Sequence, residues 1–422
     1  MPTSPSPART VLLVAYHFPP IQGSSGVQRT LRFAQHLPKF GWRPIILTIT
    51  PRAYEAVGAA TGNEIPQGLL VERAFGFDAA RQLSLFGRYS RRLALPDRWA
   101  TWKPWAVAKA RRMVKQHNVD VVWSTFPIAT AHQIGLAIAN ETGLPWVAEF
   151  RDPMWQGDYP PDPDVNQEWQ DLERRIFERA RRIVVTTPSA ADLYRERFPE
   201  FPADHIRLIE NGYDEETFAR VSPPASTDSS RTTDDRPLRL LHSGIIYPSE
   251  RDPTHFFQAI ANLKGRGAIS ASNLRVVLRA STNEAGYASA LVKLGIDDIV
   301  HLDPGVDYLR ALEEMMTVDG LLILQAANCN AQVPAKLFEY LRAGRPILAL
   351  TDPVGDTART LDAVGAGLIA PLDSTSAIEV ALLTFQKQIR EGTARRPTFA
   401  AISRHSRRAQ AGQLAEILAS LA

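Results

Sequence analysis

Residues 9–48 read RTVLLVAYHFPPIQGSSGVQRTLRFAQHLPKFGWRPIILT. A short apolar run, VLLVAY, gives way to Pro19-Pro20 and then to Gly23 and Gly26. That order predicts a buried parallel strand running into a loop. From Val27 to Phe40, Leu31, Ala34 and Leu37 recur at helical spacing, and Gly41 follows as a stop. Pro44 to Thr48 is a second strand. Two parallel strands need a crossover between them, so the stretch is a βαβ unit.

The alternation continues outward. VDVVWST (119–125), PWVAEF (145–150), RIVVTT (182–187) and HIRLIENG (205–212) read as strands. Helical stretches at Ala129–Thr142, Glu168–Ala180 and Ser189–Arg197 separate them. Residues 221–237, VSPPASTDSSRTTDDRP, are dominated by Ser, Thr, Pro and Asp and read as a linker. Alternation then restarts with LRLLHSG (238–244), LRVVLRA (274–280), IVHLD (299–303), GLLILQ (320–325), RPILAL (345–350) and GLIA (367–370). The fold class is therefore α/β, as two Rossmann-like, doubly wound domains facing across a cleft. The expected bounds are 1–220 and 237–395, with a linker at 221–236 and a last helical stretch within 396–422.

Composition narrows the function classes. The chain has 422 residues, 45% apolar and 22% charged, which excludes a wholly disordered protein. No apolar run approaches the ~20 residues of a membrane span. The run at Val11 to Ala15 is too short for a secretory signal, so a cytoplasmic protein is expected. The lone Cys329 excludes an intrachain disulfide and a cysteine-cage metal site.

The net charge of +3 hides a local concentration. From Arg88 to His117 there are nine Lys and Arg against one acid, Asp97. Trp99, Trp102 and Trp105 recur every three residues within it. Basic residues beside indoles suit peripheral association with an anionic membrane through residues 88–117. The competing basic-patch partner is nucleic acid, which is not expected here. The plainer alternative is a helix whose tryptophans face the core and whose arginines stay solvated, and Pro104 is expected to interrupt a continuous amphipathic helix there.

Two loops carry chemistry. His17 to Val27 follows the first strand, and its small residues let backbone approach a ligand at a helix N-terminus. By itself it is equally an ordinary strand-to-helix turn. Val333 to Pro346 reads VPAKLFEYLRAGRP, with Pro334 suited to a first helical turn. Lys336 and Glu339 are one turn apart, so they share a face. Lysine beside a helix N-terminus suits a diphosphate, and a carboxylate one turn on can accept from a ribose diol. Taken alone, the pair reads first as a surface ion pair. Arg151 and Asp152 follow the strand PWVAEF, where Asp152 could take a proton from, or orient, a hydroxyl, or could simply cap or pair structurally. Asp162-Pro163-Asp164, in a Pro-rich loop, is weak support for a metal site, and no metal is expected.

Five segments together resemble the retaining nucleotide-sugar glycosyltransferases of family 4, which have the GT-B fold. They are FPPIQGSSGVQR (18–29), PWVAEFRDPMW (145–155), Thr187 to Phe218 including IENGYDEETF, LHSGIIYPSERDP (241–253) and VPAKLFEYLRAGRPIL (333–348). The FRDP form resembles a branch linked to surface polysaccharide assembly. The resemblance implies an N-terminal acceptor domain, a C-terminal nucleotide-sugar domain, and a final helix that returns to the N-domain. It implies that backbone at Ser25 and Gly26 approaches the donor. Gly244 and Arg251 would lie at the diphosphate, Lys336 and its helix amides would hold it, and Glu339 would bind the ribose. Arg251, Lys336 and Asp152 would be the catalytic groups, and His17, Arg151 and Asp152 would face the acceptor. Positive charge would stabilise the leaving diphosphate, with the nucleotide sugar as substrate and no cofactor. The sequence departs from the pattern in three places. Ala331 stands where the first glutamate of the paired motif falls, Ile245 stands where an arginine follows Gly244, and Glu149-Phe150-Arg151-Asp152 stands where a histidine is common. A non-hydrolysing sugar-nucleotide epimerase and a non-catalytic binding protein are the alternative readings.

Overall fold

In the computed structural model, β1 (Arg9–Val14) presents an almost unbroken run of buried residues, as a strand covered on both faces must. The structure describes residues 9–22, 26–58, 64–85, 88–157, 159–221 and 236–422. They divide into one unit formed by Met1–Glu210 with Arg407–Ala422, and a second formed by Asn211–Ser406.

In the first unit, β1 leads to α1 (Gly26–His36) and β2 (Trp42–Ile49). Then come β3 (Leu70–Ala74), α2 (Trp102–His117), β4 (Val119–Thr125), α3 (Ala129–Thr142) and β5 (Trp146–Phe150). The series closes with α4 (Pro163–Arg179), β6 (Arg182–Val185), α5 (Pro188–Arg197) and β7 (Ile206–Leu208). The sheet is parallel, with order β3-β2-β1-β4-β5-β6-β7. The order reverses beside β1, which opens a crevice at the carboxyl ends of β1 and β4.

Three features of this unit add to the sequence reading or correct it. Edge strand β3 reads LVERA, and its charges break the apolar pattern that marked the other strands. An edge strand tolerates charge because one side lacks a neighbouring strand. Helix α2 runs through Pro104, contrary to the expected interruption. Pro104 sits in the first turn, where its missing N–H has no intrahelical acceptor to lose. Asp162 caps α4, accepting from the amides of Asp164 and Val165, so this acidic segment has a structural role.

The second unit holds β8 (Leu238–Ser243), α6 (Thr254–Gly265), β9 (Leu274–Arg279), α7 (Glu284–Leu294), β10 (Val300–Asp303), α8 (Tyr308–Thr317) and β11 (Gly320–Leu324). It continues with α9 (Ala335–Ala343), β12 (Ile347–Leu350), α10 (Asp356–Ala363), β13 (Leu368–Ala370) and α11 (Thr375–Arg390). These strands form a parallel sheet of order β10-β9-β8-β11-β12-β13, again reversing beside its first strand.

The unit boundaries differ from the expected 220 and 395. Tyr213, Phe218 and Val221 are buried with Leu241 and Tyr340 in the second unit's core. Glu215 clamps Arg342 through two hydrogen bonds of 2.6 and 2.5 Å. The chain therefore changes unit at Glu210, before the polar stretch 222–235, which lies outside the described residues. At the other end, Ile402 joins the same core and His405 lies against Phe338, so the second unit extends to Ser406. The last helix, α12 (Arg407–Ala419), is part of the first unit. Its Ala411, Leu414 and Leu418 share one face and pack with Leu31 and Ala34 of α1. Burying each leucine there stabilises by about 1.5–3 kcal/mol.

Candidate active site

In the second unit the site grows from the end of β8. His242 is a polar residue that follows the buried Leu240 and Leu241 in β8, and it is itself fully buried. Its Nδ1 lies 3.0 Å from the Leu322 carbonyl oxygen of β11. A carbonyl only accepts, so Nδ1 carries the proton and Nε2 is left as an acceptor. Nε2 meets Lys336 Nζ, the second residue of α9, at 3.0 Å. The next residue, Ser243, donates its N–H to the buried Tyr340 hydroxyl at 2.8 Å, tying the strand end to α9.

Gly244 follows with φ +112°, a region that favours glycine. A Cβ there would stand 3.1 Å from Lys336 Nζ. The glycine is needed for both the turn and the approach of the lysine. Arg251 closes the loop, donating from Nη1 to the Ile245 carbonyl at 2.7 Å, with its guanidinium 5.0 Å from the Tyr247 ring centre. One turn along α9, Glu339 accepts from the Tyr308 hydroxyl at 2.6 Å.

The electrostatics follow from this packing. Burial, then the charge of Arg251, pushes the Lys336 ammonium down to about 7, and Glu339 opposes the shift. Burial, then Lys336, holds His242 well below its ordinary value, so the imidazole stays neutral. Two cations crowd a helix N-terminus, an arrangement that an incoming anion relieves. Gly244, Arg251, Lys336 and Glu339 are thus brought together. His242, Tyr308 and Tyr340 were missed by sequence reasoning. The only signal for His242 was a histidine directly after the apolar pair Leu240-Leu241 at a strand end. A cavity of about 400 Å³ opens beside Asp252 at the ends of β11 to β13. Asp252, Asp352 and Asp373 line it, a charge set that disfavours a diphosphate, so the donor is not assigned there.

In the first unit, Arg151 and Asp152 follow β5. Arg151 donates from Nε to the Phe126 carbonyl at 2.8 Å. Its guanidinium lies over the first residue of α1, where a Cβ on Gly26 would fall 2.2 Å from Nη1. Only glycine admits that approach. Burial, then the Arg151 charge, pushes His17 down to about 3. Burial raises Asp152 above the usual carboxylate range, and Arg151 opposes this. His17, Gly26, Arg151 and Asp152 therefore form a second cluster at the strand ends. Ser25 lies outside the described residues. Glu149, beside them in sequence, is fully buried and pairs with Arg29 at 2.9 Å.

A family model described as Glycosyltransferase Family 4 matches residues 25–217. Those residues carry the family 4 glycosyltransferase domain. The whole chain has the GT-B fold of such enzymes. Sucrose-phosphate synthase from Thermosynechococcus elongatus is 13% identical, with a TM-score of 0.65 over 98% of this chain and 99% of that one. The Anabaena protein HepE in complex with UDP is 14% identical, with a TM-score of 0.65 over 98% and 100%. A UDP-N-acetylglucosamine 2-epimerase gives 13% identity and a TM-score of 0.55 over 97% and 94%. No curated protein sequence matches the chain.

The tertiary structure changes the reading of the basic run in the family 4 domain. Arg91 pairs with Asp162 and Asp164, and Arg98 with Asp78 and Glu55. Lys109 pairs with Glu72 and Arg111 with Glu141. Trp102 is fully buried and Trp99 packs against the core, so only Trp105 of the three presents its ring to solvent. Trp105 stacks edge-on with the exposed Phe75 at 5.6 Å. No helix of the described residues is long and apolar enough to cross a membrane.

Proposed function

We propose that the protein is a retaining, metal-independent glycosyltransferase. It moves a sugar from a nucleotide-diphosphate donor to a hydroxyl of a glycan or lipid-linked glycan, in surface polysaccharide or glycoconjugate assembly. The observation that carries this reading is the convergence of Lys336, Arg251 and Glu339 at the N-terminus of α9. Lys336 and Arg251 bind the diphosphate and stabilise the charge it gains on leaving. Glu339 accepts from the ribose diol. Asp152, its carboxyl raised by burial, orients or takes the proton of the acceptor hydroxyl, with Arg151 and His17 beside it. The nucleotide sugar is substrate, and no cofactor is required.

Uridine diphosphate and its sugars are the first ligands to screen, because HepE structures hold UDP and UDP-glucose. A thermal-shift screen with nucleoside diphosphates and their sugars names the donor by mass action. Glu339→Ala and Arg251→Ala are expected to abolish transfer while the protein stays folded. Near-normal turnover in both rejects the donor assignment. An epimerised nucleotide sugar formed without acceptor selects the epimerase reading, and absence of any nucleotide stabilisation selects a non-catalytic one.

The protein works in the cytoplasm, and its membrane contact narrows to the Phe75–Trp105 step with Arg112 two turns further along α2. Trp105→Ala is expected to reduce binding to anionic vesicles at low salt. Equal binding of variant and parent removes this surface.

A further inference from the structure

We infer that His242 is the positioning residue for Lys336: anchored to β11 through Nδ1–H, it offers Nε2 as the acceptor that aims the lysine at the diphosphate site and keeps its proton there. The inference rests on the reading of Lys336 as a diphosphate-binding group.

The geometry leaves the pair one arrangement. His242 is fully buried at the end of β8, and the Leu322 carbonyl fixes its tautomer. Lys336 Nζ, 3.0 Å from Nε2, must be the donor of that bond. Gly244 leaves room for the ammonium, since a Cβ there would stand 3.1 Å from Nζ. The groups facing Lys336 are His242 on β8, Arg251 on the following loop, and Glu339 on α9 itself. Tyr340 sits behind them with its hydroxyl held by Ser243 N–H, and burial raises it, so it remains neutral.

A lysine so crowded by Arg251 and by burial readily loses its proton in the empty site. A bound diphosphate restores it. Binding is then linked to proton uptake, and His242 sets where that uptake falls. Near pH 8 the parent is expected to take up close to one proton with the diphosphate, and near pH 6 almost none. Deleting the acceptor lowers the lysine further, so uptake persists near pH 6 and affinity near pH 8 falls by about tenfold.

Histidine has two partial mimics. Asparagine places an N–H near the Nδ1 position, keeping the Leu322 bond but losing the acceptor. Glutamine reaches the Nε2 position with a carbonyl oxygen and keeps the acceptor. Isothermal titration with uridine diphosphate, in buffers of different ionisation enthalpy, compares the parent with His242→Asn and His242→Gln. The expected result is a roughly tenfold weaker His242→Asn that takes up protons near pH 6, and a His242→Gln within about threefold of the parent. Parent-like affinity and proton uptake in His242→Asn overturns the inference.

A ligand-free measurement separates this inference from the donor assignment. The Lys336 side-chain carbon shift, followed by NMR against pH, should titrate near 7 in the parent and about one unit lower in His242→Asn. Different midpoints with no nucleoside diphosphate binding to the parent support the pairing and reject the donor reading. Equal midpoints with normal binding reject the pairing and leave the donor reading standing. If His242→Asn does not fold, the parent's imidazole nitrogen shifts decide. An unprotonated Nε2 that moves as Lys336 titrates supports the inference, and a protonated Nε2 overturns it.

Discussion

Replacing Glu149 by alanine should be among the most damaging single changes in the first unit. The carboxylate is fully buried and its partner Arg29 is 2% exposed, with 2.9 Å between them. Thr125 donates to the second carboxylate oxygen at 3.0 Å. Removing one partner of such a pair leaves a buried charge uncompensated and costs about 3–5 kcal/mol. Two terms decide where in that range the variant falls. Arg29 also donates to the carbonyls of Ile209 and Glu210, both at 2.8 Å, which keep part of its hydrogen bonding. Against this, Glu149 offsets the repulsion between Arg29 and Arg151. A loss near 3 kcal/mol is expected, read by urea unfolding as a lower midpoint at unchanged slope. For a unit of this size that is a fall of roughly 6–12 °C in Tm. The double variant Arg29→Met with Glu149→Leu removes both charges at similar volume and should recover most of the loss. A loss below about 1 kcal/mol in Glu149→Ala, or a double variant worse than the sum of its singles, would falsify the account of this pair.

Three further outcomes follow from the same physics. Lys336→Met should weaken nucleoside-diphosphate binding by about tenfold or more at pH 7, and unchanged affinity by calorimetry removes it from the site. Gly244→Ala forces a side chain into φ +112° and against Lys336 Nζ, so it should cost about 1–3 kcal/mol of stability and also weaken diphosphate binding; no change in either measurement contradicts the loop geometry. His132 is pushed by burial down to about 3 in the folded state. The unfolded chain therefore binds the extra proton first, and His132 costs stability as pH falls from about 6.5 toward 3. His132→Phe should flatten the stability profile in that window by a few kcal/mol, and an unchanged slope assigns the acid sensitivity elsewhere.

Much of the proposed donor site was legible because it is local. Lys336 and Glu339 lie one turn apart on a single helix, and Pro334 marks where that helix starts. Arg251 was legible only through the resemblance, since nothing in its spacing aims it at Lys336. His242 and Tyr308 were not legible. Their partners stand 94 and 31 residues away, and only the sheet order and the packing of α8 beside α9 bring them into contact.

The basic run shows the same limit from the opposite side. Nine cations within thirty residues read as a charged surface, yet Glu72, Glu141, Asp78 and Asp162 come from other elements to meet four of them. Pairing across elements has no signature in local composition.

By itself the sequence determined the α/β class, both parallel sheets and the helix that carries Lys336. Short apolar strand runs, helical periodicity and turn chemistry are local properties, written residue by residue. Tertiary structure alone decided that the second unit begins before the polar linker, at Asn211, because Tyr213 and Phe218 need its core for burial. It also decided that the chain returns to the first unit at Arg407, and that a buried histidine holds the key lysine. Those outcomes depend on which distant surfaces can cover one another, and that is settled only when the whole chain is packed.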